Sequence, residues 1–283
     1  MAAVLTACST SAPAMPSSTE PGAVHEFLTG SEAGSRLEAI STYDWPDNGA
    51  EPAAYFDWIA ADATSADSTV ATRAGESAHA LAVFLGEEHS ELESLPSDLA
   101  AAYGRALTPF QGALVGDDDG IRGFGQLGGP GDFSAERGIF SVIATNAEAG
   151  ERFVESAYSR ARAIAAGAAE RVCRDGGAAT AAVRQAAELS GLAASADSKR
   201  DERLQATDEV THAMAVACVS VAKEPPQGRI TDFIRNGVLM SPEAAGRIDL
   251  GLEGYFQSQR DYLAARGIEL NGFSDAFDAA IGR

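Results

Sequence analysis

Apolar residues recur every three or four positions along most of the chain, which is the spacing of one face of an α-helix. The clearest stripe lies in 148–174 and consists of Phe153, Ala157, Ala161, Ile164, Ala168 and Val172. A second stripe, in 202–222, consists of Val210, Met214, Ala217 and Val221. Charged side chains occupy the other faces, which is typical of amphipathic helices packed against a core.

The same spacing predicts further helices over 51–63, 69–85, 97–115, 178–195 and 241–267. The last of these begins with Ser241 and Pro242, a favoured helix start, and ends at Gly267. No segment shows a convincing strand pattern of alternating apolar and polar residues. The sequence therefore predicts an all-α bundle of about 9–11 helices, and without a 34-residue period it does not predict a tetratricopeptide (TPR) solenoid.

Composition predicts four regions. Residues 1–30 include a segment rich in Ser, Pro and Thr, so we expect a disordered tether there. Residues 31–115 form an N-terminal helical subdomain and 134–283 a C-terminal helical bundle. The Gly- and Asp-rich segment 116–133 is interpreted as the loop between them.

Charge excludes one class of partner. The chain has 21 Lys and Arg against 41 Asp and Glu, a formal net charge of −20. No basic stripe offsets this excess locally, so we expect no binding to nucleic acid. No run of about 18 apolar residues is present, so the sequence does not predict a membrane-spanning helix.

The N-terminal segment contains a candidate lipidation site. Residues 5–8 (LTAC) resemble a bacterial lipobox, and the resemblance implies that Cys8 carries a diacylglycerol and becomes the mature N-terminus. The flexible residues that follow suit a tether. Only seven residues precede Cys8, so the basic and apolar parts of a signal peptide are missing, as in a truncated chain or one with its start placed too far downstream. An ordinary N-terminus with a chance cysteine is the alternative.

The other two cysteines form a candidate disulfide. If Cys8 is lipidated, Cys173 and Cys218 remain as an even pair. Each lies near the end of a predicted helix. The first and third helices of an up-down-up arrangement run parallel, which brings the two thiols to the same end. A disulfide there would stabilise the fold by ~4 kcal/mol; two buried free thiols are the alternative.

Two other features are candidate sites. Asp117, Asp118 and Asp119 are a candidate for weak cation binding, but the spaced ligands of a calcium loop are missing, and a solvated acidic turn is the simpler interpretation. Trp45 and Trp58 either anchor the N-terminal core or bind a protein partner.

No catalytic motif is recognisable. Gly123, Gly125 and Gly128 match a dinucleotide-binding glycine pattern, but no predicted strand precedes them, so no cofactor is implied. The four histidines show no zinc spacing, and there is no nucleophile-elbow motif. We therefore predict no cofactor and no catalytic residues.

Two segments carry a family resemblance. Their matching residues are Tyr43, Asp44, Trp45, Phe56 and Ile59, then Leu107, Thr108, Pro109, Phe110 and Phe124. With these motifs the chain resembles the helical region of alanine-rich actinobacterial proteins described as TPR repeat region-containing. The resemblance implies a helical fold and a link to specialised secretion, and it supplies no catalytic residues.

These features lead to one functional hypothesis and one alternative. The chain is expected to be a cell-envelope protein, anchored to the membrane by lipid on Cys8, whose acidic helical body binds another protein. One specific form is an immunity or accessory factor for a related secreted protein. The alternative is an envelope hydrolase with an unrecognised site.

Overall fold

The structure is a computed structural model that describes residues 11–87, 92, 94–117, 119–129, 131–197, 202–248 and 251–282. Its α-helices are α1 (Pro21–Thr29), α2 (Ala33–Thr42), α3 (Ala50–Ala53), α4 (Asp57–Asp62), α5 (Ser68–Glu87), α6 (Ser97–Leu107), α7 (Ser134–Ala144), α8 (Ala147–Asp175), α9 (Thr180–Ala196), α10 (Glu202–Val221), α11 (Pro242–Ala245), α12 (Gly251–Ala264) and α13 (Phe273–Ile281). Short 3₁₀ turns span Thr108–Phe110, Ala113–Val115 and Arg229–Phe233. The strands β1 (Ile234–Arg235) and β2 (Val238–Leu239) pair antiparallel in a single hairpin. The predicted all-α multi-helix fold is confirmed.

The long helix α8 organises the C-terminal part. It packs against α9 and α10 along its length and against α6 and α7 near its start. The stripe predicted in this helix is buried, from Phe153 to Val172. Helix α13 lies against α9, and α12 lies against α10. Helices α8, α9 and α10 begin and end within two residues of their predicted limits.

Two predicted helices are divided in the structure. The helix expected over 51–63 becomes α3 and α4, because the N–H of Phe56 bonds to the carbonyl of Ala53, a three-residue spacing that tightens the chain into a turn. The helix expected over 241–267 becomes α11 and α12. Helix α12 begins at Gly251, which has a φ of 64°. This left-handed value does not fit the interior of a right-handed helix, so the helix is interrupted before Gly251. Helix α1 is a further addition, because it lies within the segment 1–30 that the sequence predicts as a disordered tether and buries Val24 and Leu28. The two divisions and α1 raise the number of helical segments above the predicted range.

One connected hydrophobic cluster includes buried residues from every helix, α1 to α13. A hydrogen bond also crosses between the predicted subdomains, from Nε2 of Gln111 to the carbonyl oxygen of Phe153, at 2.8 Å. Among the described residues, no helix is both long and apolar enough to span a membrane.

The glycine-rich segment packs closely on α5. A Cβ added to Gly75 would lie 1.8 Å from the carbonyl oxygen of Arg122, and one added to Gly123 would lie 2.3 Å from that of Thr72. The two backbones therefore approach each other at a distance that only glycine allows. Phe124 follows and stacks on Phe110, with ring centroids 5.3 Å apart. The segment interpreted as a linker thus covers one face of α5.

Candidate functional site

An open groove runs between α10 and α12, with one residue each from α8 and α11 at its edges. Its volume is about 680 Å³, and we call it the α10–α12 groove. It is lined by Arg162, Gln205, Asp208, Glu209, His212, Ala213, Pro242, Leu252 and Phe256. Helices α10 and α12 pack against each other below it, so the groove has a fixed floor.

Uncovered apolar side chains mark this groove. Leu252 is 47% exposed, and Phe256, one helical turn further along α12, is half-buried. On α10, Val216 is 38% exposed and lies four residues after His212, so it continues the same helix face beyond the groove. Among the described residues, the exposed large apolar side chains are Val216, Leu252 and Val238. Val238 lies on the hairpin beside α10.

The acidic side chains in the groove are paired with arginines. Nη1 of Arg162 lies 2.6 Å from Oε2 of Glu209, and Nη1 of Arg260 lies 3.3 Å from Oδ1 of Asp208. Burial raises the pKa of Asp208, and the guanidinium of Arg260 opposes that rise. On a chain of net charge −20, the groove is therefore a locally neutral, apolar surface.

His212 adds a polar group to the groove. Its Nδ1 lies 3.0 Å from the hydroxyl of Tyr255, which donates its own proton to the carbonyl oxygen of Met240. Nδ1 must then carry the ring proton and donate it to the tyrosine oxygen, which leaves Nε2 as an acceptor. Burial lowers the pKa of His212 and raises that of Tyr255 to about 12. Both groups are neutral at pH 7.

The predicted disulfide is confirmed. Cys173 in α8 and Cys218 in α10 are bonded, with their Cα atoms 5.4 Å apart. Both lie near the C-terminal ends of parallel helices, as the sequence predicts. Because Cys218 follows Val216 by two residues, the cross-link fixes α10 at one end of its exposed apolar face.

The tryptophans lie away from the groove. Trp45 is 8% exposed, belongs to the hydrophobic cluster and donates its indole N–H to the carbonyl of Ile40 at 2.8 Å. Trp58 is half-buried against the same cluster, with the guanidinium of Arg73 5.6 Å from its ring centroid. Of the two roles considered from the sequence, Trp45 therefore has the first, which is to anchor the hydrophobic core.

The other predicted residues are not brought together. Oδ2 of Asp117 lies 2.6 Å from Nη2 of Arg160, so that carboxylate already has a cationic partner. Asp119 is exposed, and Asp118 and Cys8 lie outside the described residues. In the part of the chain that the structure describes, no three His, Cys, Asp or Glu side chains are placed to hold a metal ion.

The groove itself was not predicted from the sequence. One signal was available: Val216 lies off the buried stripe of α10 that contains Val210 and Met214, so this helix is apolar on two faces. A second apolar face is typical of a helix with two neighbours.

No known protein guides the assignment. No family model matches the chain, no curated protein is similar to it, and no solved structure resembles it. The functional assignment therefore rests on the residues described above.

Proposed function

We propose that the protein is a lipid-anchored component of the cell envelope that binds another protein through the α10–α12 groove. The observation that carries this proposal is the pair of apolar side chains in the groove, the exposed Leu252 and the half-buried Phe256, with the exposed Val216 further along the same face of α10. Apolar side chains left together at a groove are typical of a surface that a partner covers.

An amphipathic helix is the partner segment that fits. The α10 face from Gln205 to Val216 spans twelve residues, with its two ends about 16 Å apart at a rise of 1.5 Å per residue, or about three helical turns. A partner helix of similar length would place apolar side chains at three- and four-residue spacing against Leu252 and Phe256. The acidic body outside the groove favours Lys and Arg on the flanks of that helix.

The envelope location rests on two features. The LTAC segment at 5–8 resembles a lipobox, and the disulfide between Cys173 and Cys218 is the kind of bond that persists in oxidising compartments. Partners are then to be sought among secreted proteins, with an immunity or accessory role as the specific form. No other function has comparable support from the groove.

Site-specific photocrosslinking in intact cells tests the binding. A photoreactive amino acid replaces Leu252 in one strain and Glu32, the exposed residue that precedes α2, in the control strain. We expect a single crosslinked protein from position 252 and none from position 32, with loss of the product when Phe256→Asp is added. Equal products from both positions, or none from position 252, would contradict the proposal.

The mass of the mature N-terminal peptide from native cells tests the anchor. A lipidated Cys8 as first residue would support envelope attachment. An unmodified Cys8 within a longer peptide would remove the anchor from the proposal without affecting the groove.

A further inference from the structure

A second cavity lies at the C-terminal ends of α8, α10 and α12. It is bounded by Cys173, by the segment 222–229 that follows α10, and by the last turns of α12 with the two residues after it. Its volume is about 740 Å³, which is within the range of small-molecule sites. The cavity shares no lining residue with the α10–α12 groove, so it is a separate place for a ligand.

Three unpaired cations line this cavity. They are Lys223, Arg229 and Arg266, and none of them forms an ion pair in the part of the chain that the structure describes. Elsewhere in that part, ten arginines are paired with a carboxylate. Carboxylates are abundant on a chain of net charge −20, so three cations left without one around a single cavity are available to another anion.

Arg266 has a fixed position and free donors. Its Cζ lies 3.7 Å from the ring centroid of Tyr262, and its Nη1 donates to the carbonyl oxygen of that residue at 3.4 Å. Stacking on the ring limits the orientations of the guanidinium. Nε and Nη2 have no hydrogen-bond partner among the described residues and are not buried, so a molecule in the cavity can reach them. These two donors form one edge of the guanidinium and can hold two oxygens of one anionic group.

Two carboxylates also line the cavity, and neither forms an ion pair with these cations. Asp261 accepts a hydrogen bond from Nε2 of Gln257, one turn earlier on α12, at 2.7 Å. Glu224 is exposed. The lining therefore has one more cation than carboxylates, which is the reverse of the charge balance of the chain as a whole.

The walls of the cavity are held in place on two sides. Cys173 is bonded to Cys218, which joins the ends of α8 and α10, and the 3₁₀ turn Arg229–Phe233 packs against α12. The elements that carry the three cations are therefore positioned before a ligand arrives, which lowers the entropy cost of binding.

The number of cations favours phosphate groups over a single carboxylate. A phosphate group carries about two negative charges at pH 7 and offers three acceptor oxygens, and its geometry matches the edge of a guanidinium. The cavity is much larger than one phosphate ion, and its cations come from two separate segments. A ligand with two phosphate groups can contact both segments at once.

We propose that this cavity binds a small molecule that carries a diphosphate group. Nε and Nη2 of Arg266 hold one phosphate group side-on, and Lys223 and Arg229 neutralise the other from the segment after α10. A diphosphate group occurs both in free anions and in lipid headgroups, and the experiment below distinguishes these two sources.

Isothermal titration calorimetry on the full chain at low ionic strength tests this proposal with pyrophosphate as the probe. We expect millimolar or tighter binding, with orthophosphate at least about fivefold weaker because it contacts one segment only. Arg266→Gln should weaken pyrophosphate at least about tenfold, since it removes the side-on donors. Arg122→Gln changes the net charge equally at an exposed arginine outside the lining and should leave binding unchanged.

A second variant covers the case in which Arg266→Gln fails to fold. Lys223 and Arg229 are exposed, so the double change Lys223→Gln and Arg229→Gln should keep the circular dichroism of the wild type and weaken pyrophosphate about tenfold. No pyrophosphate binding to the wild type, wild-type affinity in either lining variant, or an equal loss in Arg122→Gln would overturn the proposal.

Sedimentation with phosphatidylcholine vesicles, with and without geranylgeranyl diphosphate, identifies the source of the diphosphate group. Binding only to the vesicles with the diphosphate lipid, and its loss in Arg266→Gln, would assign a lipid headgroup. Pyrophosphate binding in solution without such vesicle binding would assign a free anion.

Discussion

Two helix surfaces of this protein differ in whether the chain covers them. The segment 121–125 covers a face of α5, whereas the α10–α12 groove stays open. On α5, backbone meets backbone at Gly75 and Gly123, and no space remains between them. On α10 and α12, Val216 and Leu252 remain uncovered. The chain thus covers the first surface by itself and leaves the second open, and the proposed partner concerns the second alone.

The largest expected change comes from removing the cross-link beside the open surface. The variant with Cys173→Ser and Cys218→Ser should lose ~4 kcal/mol of unfolding free energy, because the disulfide no longer restricts the unfolded chain. Urea unfolding measures the loss. Cys8→Ser is the control and should unfold like the wild type; an equal loss in the control would contradict the assignment of the pair.

Filling the closed surface should have the next largest effect. Gly75→Ala places a methyl group against the carbonyl of Arg122 and should lower the unfolding free energy by ~2 kcal/mol, since the segment must move away. Gly167→Ala in α8 is the matched control, because its Cβ would meet only Arg171 at 3.6 Å.

That control should be more stable than the wild type by ~0.5–1 kcal/mol, because alanine favours the helix. Thermal unfolding distinguishes the two variants. If Gly75→Ala were as stable as Gly167→Ala, the close packing of the segment on α5 would be wrong.

Changing the open surface should affect binding and not folding. Leu252→Asp should weaken binding to the partner identified by crosslinking at least about tenfold, or 1.4 kcal/mol, because a carboxylate replaces an apolar contact. The unfolding free energy should stay within about 0.5 kcal/mol, as expected for an exposed position. Val238→Asp, an exposed apolar position outside the lining, is the control and should bind normally.

The smallest effect concerns pH. Because burial lowers the pKa of His212 below its usual 6.5, the unfolded chain binds the proton more readily than the folded chain. Stability from this group is therefore complete above pH 6.5 and declines as the pH falls towards the lowered value. The variant His212→Gln should not show this decline in unfolding free energy.

Between pH 7.5 and 5 the wild type should therefore lose more unfolding free energy than His212→Gln. His79, whose pKa burial also lowers, is common to both proteins and cancels in the comparison. An equal decline in unfolding free energy in both proteins would mean that groups other than His212 cause the pH dependence.

Local patterns predicted the helices that carry long apolar stripes. Phe153 to Val172 lie at the period of a single buried face, so α8 could be located to within two residues. The pairing of Cys173 with Cys218 followed from the parallel direction of two such helices. The division of the helix at 241–267 was missed, since Gly251 adopts a positive φ that the apolar spacing does not reveal.

The sequence by itself determined the helical class, the charge and the disulfide, because each depends on residue spacing or on simple counting. Tertiary structure alone decided which apolar side chains stay uncovered. Val216 and Leu252 are 36 residues apart in sequence. Exposure and pairing depend on what other segments place beside a residue, and a pattern along one segment does not contain that information.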